Sequence, residues 1–213
     1  MMKLYGYWRS SASYRLRLAL ALKGIEVEHI TVNLREGEQH SAEHATRNSQ
    51  ALVPVLELED GTQLTQSMAI IEYLDETYSD SPLLPSDAVS RAKIRAAAQI
   101  IAADTAPIQN LRVLKFIRAE HGCDDAAVKQ WAAHWISLGF DALEKIAADK
   151  TQPFLVSGRP GYFECCLIPQ IYNANRFGVD MSVFPNLSEI ERETRGHAAF
   201  IAAHPSRQAD AII

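Results

Sequence analysis

The periodicity of the chain changes character close to residue 79. Before that point short strand-like runs alternate with helical ones, and after it nearly every segment repeats with helical spacing. KLYGYW (3–8) reads as a strand, and Ser11–Lys23 as a helix ending at Gly24, with Ala12, Leu16, Ala19 and Leu20 as its apolar stripe. IEVEHITVN (25–33) is rich in β-branched residues and predicts a second strand. A polar stretch through His40 and Glu43 predicts a short irregular helix. VPVLELEDGTQLT (53–65) alternates around Asp60-Gly61, a strong hairpin signal, and QSMAIIEYLDETY (66–78) is helical, with Ile70, Ile71, Leu74 and Tyr78 on one side.

Two prolines among small polar residues then mark 80–88 as a linker between an α/β domain over 1–79 and an all-helical domain over 89–213. The helical half divides into 89–121, kinked at Pro107, then 124–148, and shorter segments near 162–176 and 186–203. Within 124–148, Val128, Trp131, Ala132, Trp135, Leu138 and Ala142 make one apolar face.

Composition narrows the function classes. A net charge of −5 with no strongly basic stretch argues against nucleic acid or an anionic membrane as partner. No apolar run approaches the roughly 18 residues of a membrane span, and the amino terminus runs straight into a strand, so the expected location is cytoplasmic. Cys123, Cys165 and Cys166 suit a reducing compartment, the adjacent pair diverging on its helix. The histidines lack metal-ligand spacing, and no metal is expected.

Three short stretches carry the chemistry. Ser10 and Ser11 stand at a strand-to-helix turn, where a hydroxyl either caps the helix or faces an anion. A thiol of ordinary pKa, about 8.5, needs about 2.7 kcal/mol to be lowered by two units. A helix terminus supplies up to ~2 kcal/mol and a hydrogen bond to a charged group about 1.5–3. Such a turn can therefore hold a thiolate without a base. NSQALVP (48–54) sets Val53-Pro54 before a strand, where the proline is either an ordinary trans start or a cis bond exposing backbone to an extended peptide. TQSMAII (65–71) opens a helix with Gln66-Ser67, either a plain cap or a seat for a carboxylate.

Taken in this order, these stretches resemble the cytosolic glutathione transferase superfamily, and more narrowly its zeta class of maleylacetoacetate and maleylpyruvate isomerases. The resemblance rests on YWRSSASYRLRLALALKG (7–24), LVPVLELEDG (52–61), QSMAIIEYLDE (66–76), PIQNLRVLK (107–115) and PQIYNANRFGVDMSVFPNL (169–187), spread over nearly the whole chain. It implies a thioredoxin-like amino-terminal domain joined to a helical one, with glutathione as cofactor. It also implies a homodimer acting on a small molecule in aromatic degradation. Ser10 or Ser11 would hold the sulfur as a thiolate. Val53, before Pro54, would pair with the cysteinyl backbone, and Gln66 and Ser67 would take the γ-glutamyl carboxylate. His40 and Gln50 lie towards the glycyl end, and Gln109 and Asn110 match polar residues near the site. Arg176, in NANRF, is the first choice for a substrate carboxylate, with Arg112 and Arg9 behind it. The implied activity is glutathione-dependent cis–trans isomerisation of a maleyl keto acid by reversible thiolate addition. Conjugation or dehalogenation of α-halo acids, and glutathione binding without turnover, are the alternatives.

Three positions depart from the class. Ala12 stands where many members carry cysteine, and Ala106 where relatives often carry a polar residue. Gly161 with Glu164 replaces a hydroxyl-and-aspartate capping box, which is expected to weaken that helix start by about 0.5 kcal/mol.

Overall fold

Lys3–Gly6 form β1, which pairs in parallel with β2 (Glu28–Thr31) across the crossover helix α1 (Ser11–Lys23). On its other side β1 pairs antiparallel with β3 (Val55–Glu57), and β3 with β4 (Gln63–Thr65), giving a four-stranded sheet in the order β2-β1-β3-β4. The β3–β4 hairpin turns where the sequence predicts. Asp60 Oδ1 accepts the Thr62 N–H at 2.9 Å, and Gly61 takes φ +85°, a conformation that suits a residue without Cβ. Helix α2 (Ala42–Arg47) follows a single 3₁₀ turn at Glu38–His40, and α3 (Ser67–Thr77) follows β4 directly. Ile70, Ile71 and Leu74 are fully buried on α3, whereas Tyr78 stays largely exposed.

The computed structural model describes residues 1–211, and they divide into two compact units. One contains Met1–Leu83 and the chain from Gly196 onward, the other Leu84–Arg195. The boundary lies inside the stretch expected as a linker. The expected helical domain over 89–213 is divided, because its end packs with the sheet unit; Ile212 and Ile213 lie outside the described residues. Helix α10 (Ala198–Ala203) buries Ala199, Phe200 and Ala203 and packs on α1. As a result α1 is buried all round from Ser13 to Leu20, including Arg15 and Arg17, rather than along the single stripe its apolar spacing predicts.

In the second unit α4 (Ala88–Gln99) leads into a π-helical stretch, Ile100–Thr105, followed by α5 (Ala106–Ile108), α6 (Leu111–His121), α7 (Asp125–Ala148), α8 (Tyr162–Phe177) and α9 (Pro185–Thr194). The break expected at Pro107 takes the form of that π stretch. Proline supplies no N–H, and Thr105 Oγ1 donates back to the Ile100 carbonyl at 2.8 Å. Gly139 on α7 faces Thr105 so closely that a Cβ would collide with its hydroxyl. The buried face of α7 is Val128, Ala132, Ile136, Phe140, Leu143 and Ala147, while Trp131 and Leu138 are exposed. The face read from the bulky residues is therefore rotated from the true one. Steps of three and four residues follow the smaller side chains inward, and Trp131 instead donates its indole N–H to the Ile108 carbonyl at 3.1 Å. At the start of α8, Glu164 Oε2 accepts the Gly161 N–H at 2.8 Å, so the acidic half of the capping box is present without a hydroxyl.

Candidate functional site

The turn between β1 and α1 begins the site. Ser10 is the N-cap, with extended backbone, and its Oγ accepts the Ser13 N–H at 3.2 Å. As an acceptor in the cap, that hydroxyl keeps its own hydrogen to donate elsewhere. Ser11 is the first helical residue, and α1 carries no acidic side chain of its own in its first turn. The Ser10 N–H closes the turn on the Tyr7 carbonyl at 3.0 Å. Arg9 lies in this turn, its guanidinium 5.6 Å from the Trp8 ring.

The second piece is the loop before β3. The Val53–Pro54 peptide is cis, and Val53 lies outside the ladder that begins at Val55. Two side chains hold this loop: His44 Nε2 and Asn48 Nδ2 both reach the Leu52 carbonyl at 2.9 Å. His44 is buried on α2, with the nitrogen that meets the carbonyl acting as donor. Sequence reasoning missed it, since a histidine on a short polar helix gives no sign of the loop beneath it.

Gln66 and Ser67 complete the unit. Gln66 precedes α3 with φ 67°, in a region that non-glycine residues rarely adopt, and makes no side-chain cap. The first turn of α3 thus has neither a cap nor an acidic side chain, in contrast to α1, α2, α4, α6 and α7, whose N-cap side chains all accept a backbone N–H. Gln66 Nε2 donates to Gln50 Oε1 at 2.7 Å, joining two of the expected residues. Ala51, next to Gln50, is the other non-glycine residue with positive φ among those described. Ser67 is buried, and its hydroxyl accepts from Arg15 Nη1 at 3.3 Å, a partner with no signal in the sequence. His40 is exposed at the end of the 3₁₀ turn, while its neighbour Gln39 is buried with Oε1 lacking a hydrogen bond.

The remaining expected residues belong to the other unit. Asn110 is the N-cap of α6, accepting the Arg112 N–H at 3.1 Å, and Arg112 itself is exposed. Gln109 is buried and donates to Gln170 Oε1 at 2.7 Å, so its amide is engaged within the unit. Arg176 is exposed in the last turn of α8, with its guanidinium 4.3 Å from the Phe177 ring. No group of three or more His, Cys, Asp or Glu able to hold a metal occurs among the described residues. No helix among them is long and apolar enough to cross a membrane.

The sheet in the order β2-β1-β3-β4, with a cis proline ahead of β3, lies within residues 1–76, and the family model that matches those residues is the glutathione S-transferase N-terminal domain. The chain is 45% identical over 210 residues to the probable maleylacetoacetate isomerase of Vibrio cholerae, covering 98% of this chain and 97% of the relative. It is 41% identical over 212 residues to the maleylpyruvate isomerase of a Ralstonia species, covering 98% and 99%. Among solved structures, the holo form of a bacterial zeta-class maleyl pyruvate isomerase superposes with a TM-score of 0.96 at 39% identity, over 99% of this chain and 100% of that one. A maleylacetoacetate isomerase from Anaeromyxobacter dehalogenans, with glutathione bound in its active site, gives 0.89 at 42% identity, over 100% and 98%. The chain belongs to the zeta class of the glutathione transferase family.

Proposed function

We propose that this protein is a glutathione-dependent cis–trans isomerase of a maleyl keto acid, maleylacetoacetate or maleylpyruvate. The observation that carries the reading is the pairing of an acid-free, hydroxyl-bearing start of α1 with an uncapped start of α3 in one small unit. The donor set fits glutathione: a first turn of α3 that the Gln66 side chain does not cap and the Ser67 hydroxyl for the γ-glutamyl carboxylate, the Gln50–Gln66 amide pair beside it, and the backbone of Val53 before Pro54 for an extended peptide. Bound glutathione supplies a nucleophilic thiolate that adds reversibly to the substrate double bond and is not consumed.

The chain's own residues hold that thiolate and position the substrate. Ser10 is the stronger candidate, because the cap fixes its rotamer and leaves its hydrogen to donate; Ser11 contributes from the first helical position. Arg176 is the proposed carboxylate clamp, with Arg9 and Arg112 as further cations. Gln109 and Asn110 are the further polar residues that the class resemblance assigns to glutathione, and His40 the one toward its glycyl end. Met1–Leu83 would form the thioredoxin-like glutathione-binding domain, and Leu84–Arg195 the helical substrate domain. A cytoplasmic homodimer completes the reading, supported by the class resemblance.

The test is isomerisation of each maleyl keto acid by purified protein, with and without glutathione, in wild type, Ser10→Ala and Ser11→Ala. Turnover that requires glutathione and falls at least a hundredfold in Ser10→Ala is expected, on the scale of one lost donor to a developing charge. Turnover independent of glutathione, or none with either acid, would overturn the reading.

A further inference from the structure

We propose that the carboxy-terminal segment clamps the β1–α1 turn, and that Asp210 is a positioning residue for the glutathione thiolate. This rests on the reading that Ser10 and Ser11 hold the sulfur. The turn's own backbone accounts for one hydrogen bond, Ser10 N–H to the Tyr7 carbonyl. The remaining backbone polar groups of Tyr7 and Trp8 are taken by side chains, and the Tyr7 carbonyl accepts a second bond. Tyr7 N–H donates to Ser13 Oγ at 3.3 Å, and Trp8 N–H to Asp210 Oδ2 at 2.9 Å. The Trp8 carbonyl accepts Arg17 Nη2 at 2.9 Å, and the Tyr7 carbonyl accepts Arg17 Nη1 at 3.5 Å.

Arg17 is a buried planar fork with its third arm elsewhere: Nε donates to the Ala203 carbonyl at the end of α10, 3.0 Å away. One guanidinium thus spans the turn and the carboxy-terminal helix. Asp210 reaches the same turn by a second route. Gln208 Nε2 donates to the carbonyls of Ala202 and His204, each at 3.0 Å, which fastens the segment carrying Asp210 to α10. A partner 202 residues away in sequence therefore fixes the peptide two residues before Ser10. A surface turn left to itself is mobile, and an ångström of misplacement is enough to weaken a preorganised donor. His29, Arg17 and Asp210 line one small recess beside Trp8, so a test must separate Asp210's charge from its acceptor oxygen.

The experiment titrates the ultraviolet absorbance of enzyme-bound glutathione thiolate with pH in wild type, Asp210→Ala and Asp210→Asn, and follows amide hydrogen exchange at Trp8 with and without glutathione. Asp210→Ala is expected to lower the thiolate fraction at neutral pH severalfold and to speed exchange at Trp8. Asp210→Asn, which keeps an acceptor, is expected to match wild type. An unchanged titration in Asp210→Ala overturns the proposal, as does an equal shift in Asp210→Asn, which would show that the acceptor oxygen is not what holds the turn. If thermal melting shows that Asp210→Ala does not fold, Asp210→Glu replaces it: the longer arm shifts the titration if the clamp acts and leaves it unchanged if it does not. A wild-type enzyme that shows no bound thiolate overturns the functional reading, and exchange at Trp8 without glutathione then decides the clamp: faster exchange in the variant upholds it, equal exchange overturns it.

Discussion

Arg15 on α1 donates from Nη1 to the hydroxyl of Ser67 at the first position of α3, 3.3 Å away, and both residues are buried. A serine hydroxyl that accepts from a guanidinium keeps its own hydrogen, so Arg15 would leave Ser67 able to donate to the carboxylate proposed for it. Arg15→Met is expected to weaken glutathione binding by roughly tenfold or more, in line with about 1.5–3 kcal/mol for a hydrogen bond to a charged group. Ser67→Ala should weaken it similarly, and the double variant should fall well short of the sum, since both changes break one relay. Calorimetric titration of the four proteins with glutathione checks this; additive losses would contradict it.

Gln66 separates stability from binding. Its φ of 67° places a β-carbon-bearing residue where glycine is at ease, and such strain costs on the order of 1–3 kcal/mol. Gln66→Gly is expected to recover part of that strain in denaturant unfolding. The same change removes the amide that meets Gln50 and should raise the dissociation constant for glutathione. Stability and affinity therefore move in opposite directions, a result that simple loss of fold cannot mimic.

The buried ion pair beneath α1 makes a third prediction. Lys23 Nζ lies 2.8 Å from Asp75 Oδ1, with both side chains almost wholly buried, and it also donates to the carbonyls of Tyr78 and Ser81. Asp75 Oδ1 in turn accepts the Leu83 N–H at 2.7 Å, so the pair anchors the end of the sheet unit. Lys23→Met leaves a buried carboxylate without its cation and is expected to cost about 3–5 kcal/mol. Replacing both partners by apolar residues should cost less per residue removed, as equilibrium unfolding would show.

Local chemistry made the sheet unit readable from sequence. Gly24, Asp60-Gly61 and Ser10 each act within a few residues of themselves, as the left-handed end of α1, the hairpin turn and the cap of α1. Long-range partners escaped the reading because nothing local encodes them: Arg15 to Ser67, His44 to Leu52 and Asp210 to Trp8 join segments that pattern cannot pair. The same limit explains α1 and the end of the chain. An arginine-bearing helix reads as one-sided until α10 covers its other face, and α10 reads as part of the helical half until its packing is seen. On α7 the bulky tryptophans drew the expected face away from the true one, which runs through Val128, Ala132, Ile136, Phe140, Leu143 and Ala147, with Gly139 leaving room for Thr105.

Glu164 gives the pH dependence. It is fully buried at the start of α8, and burial pushes its carboxyl above the ordinary range, against hydrogen bonds from Leu155 and Gly161 that pull it down. A carboxyl with a raised folded-state pKa binds its proton more tightly in the native protein than in the unfolded chain. Its contribution to stability is therefore fully present below the unfolded value, about 4.3, and is lost as pH rises through the folded one, at about 1.36 kcal/mol for each unit of separation. Glu164→Gln does not titrate, and it offers one carbonyl oxygen to two N–H groups, Leu155 at 3.1 Å and Gly161 at 2.8 Å. The amide end must then face one of those donors, at a cost of about 1–3 kcal/mol. Wild type is expected to exceed Glu164→Gln in stability most strongly at acidic pH, with the margin narrowing as pH rises. Denaturant unfolding of both proteins across that window checks the sign, and a margin that widened with pH would show that the two N–H bonds, not burial, dominate Glu164.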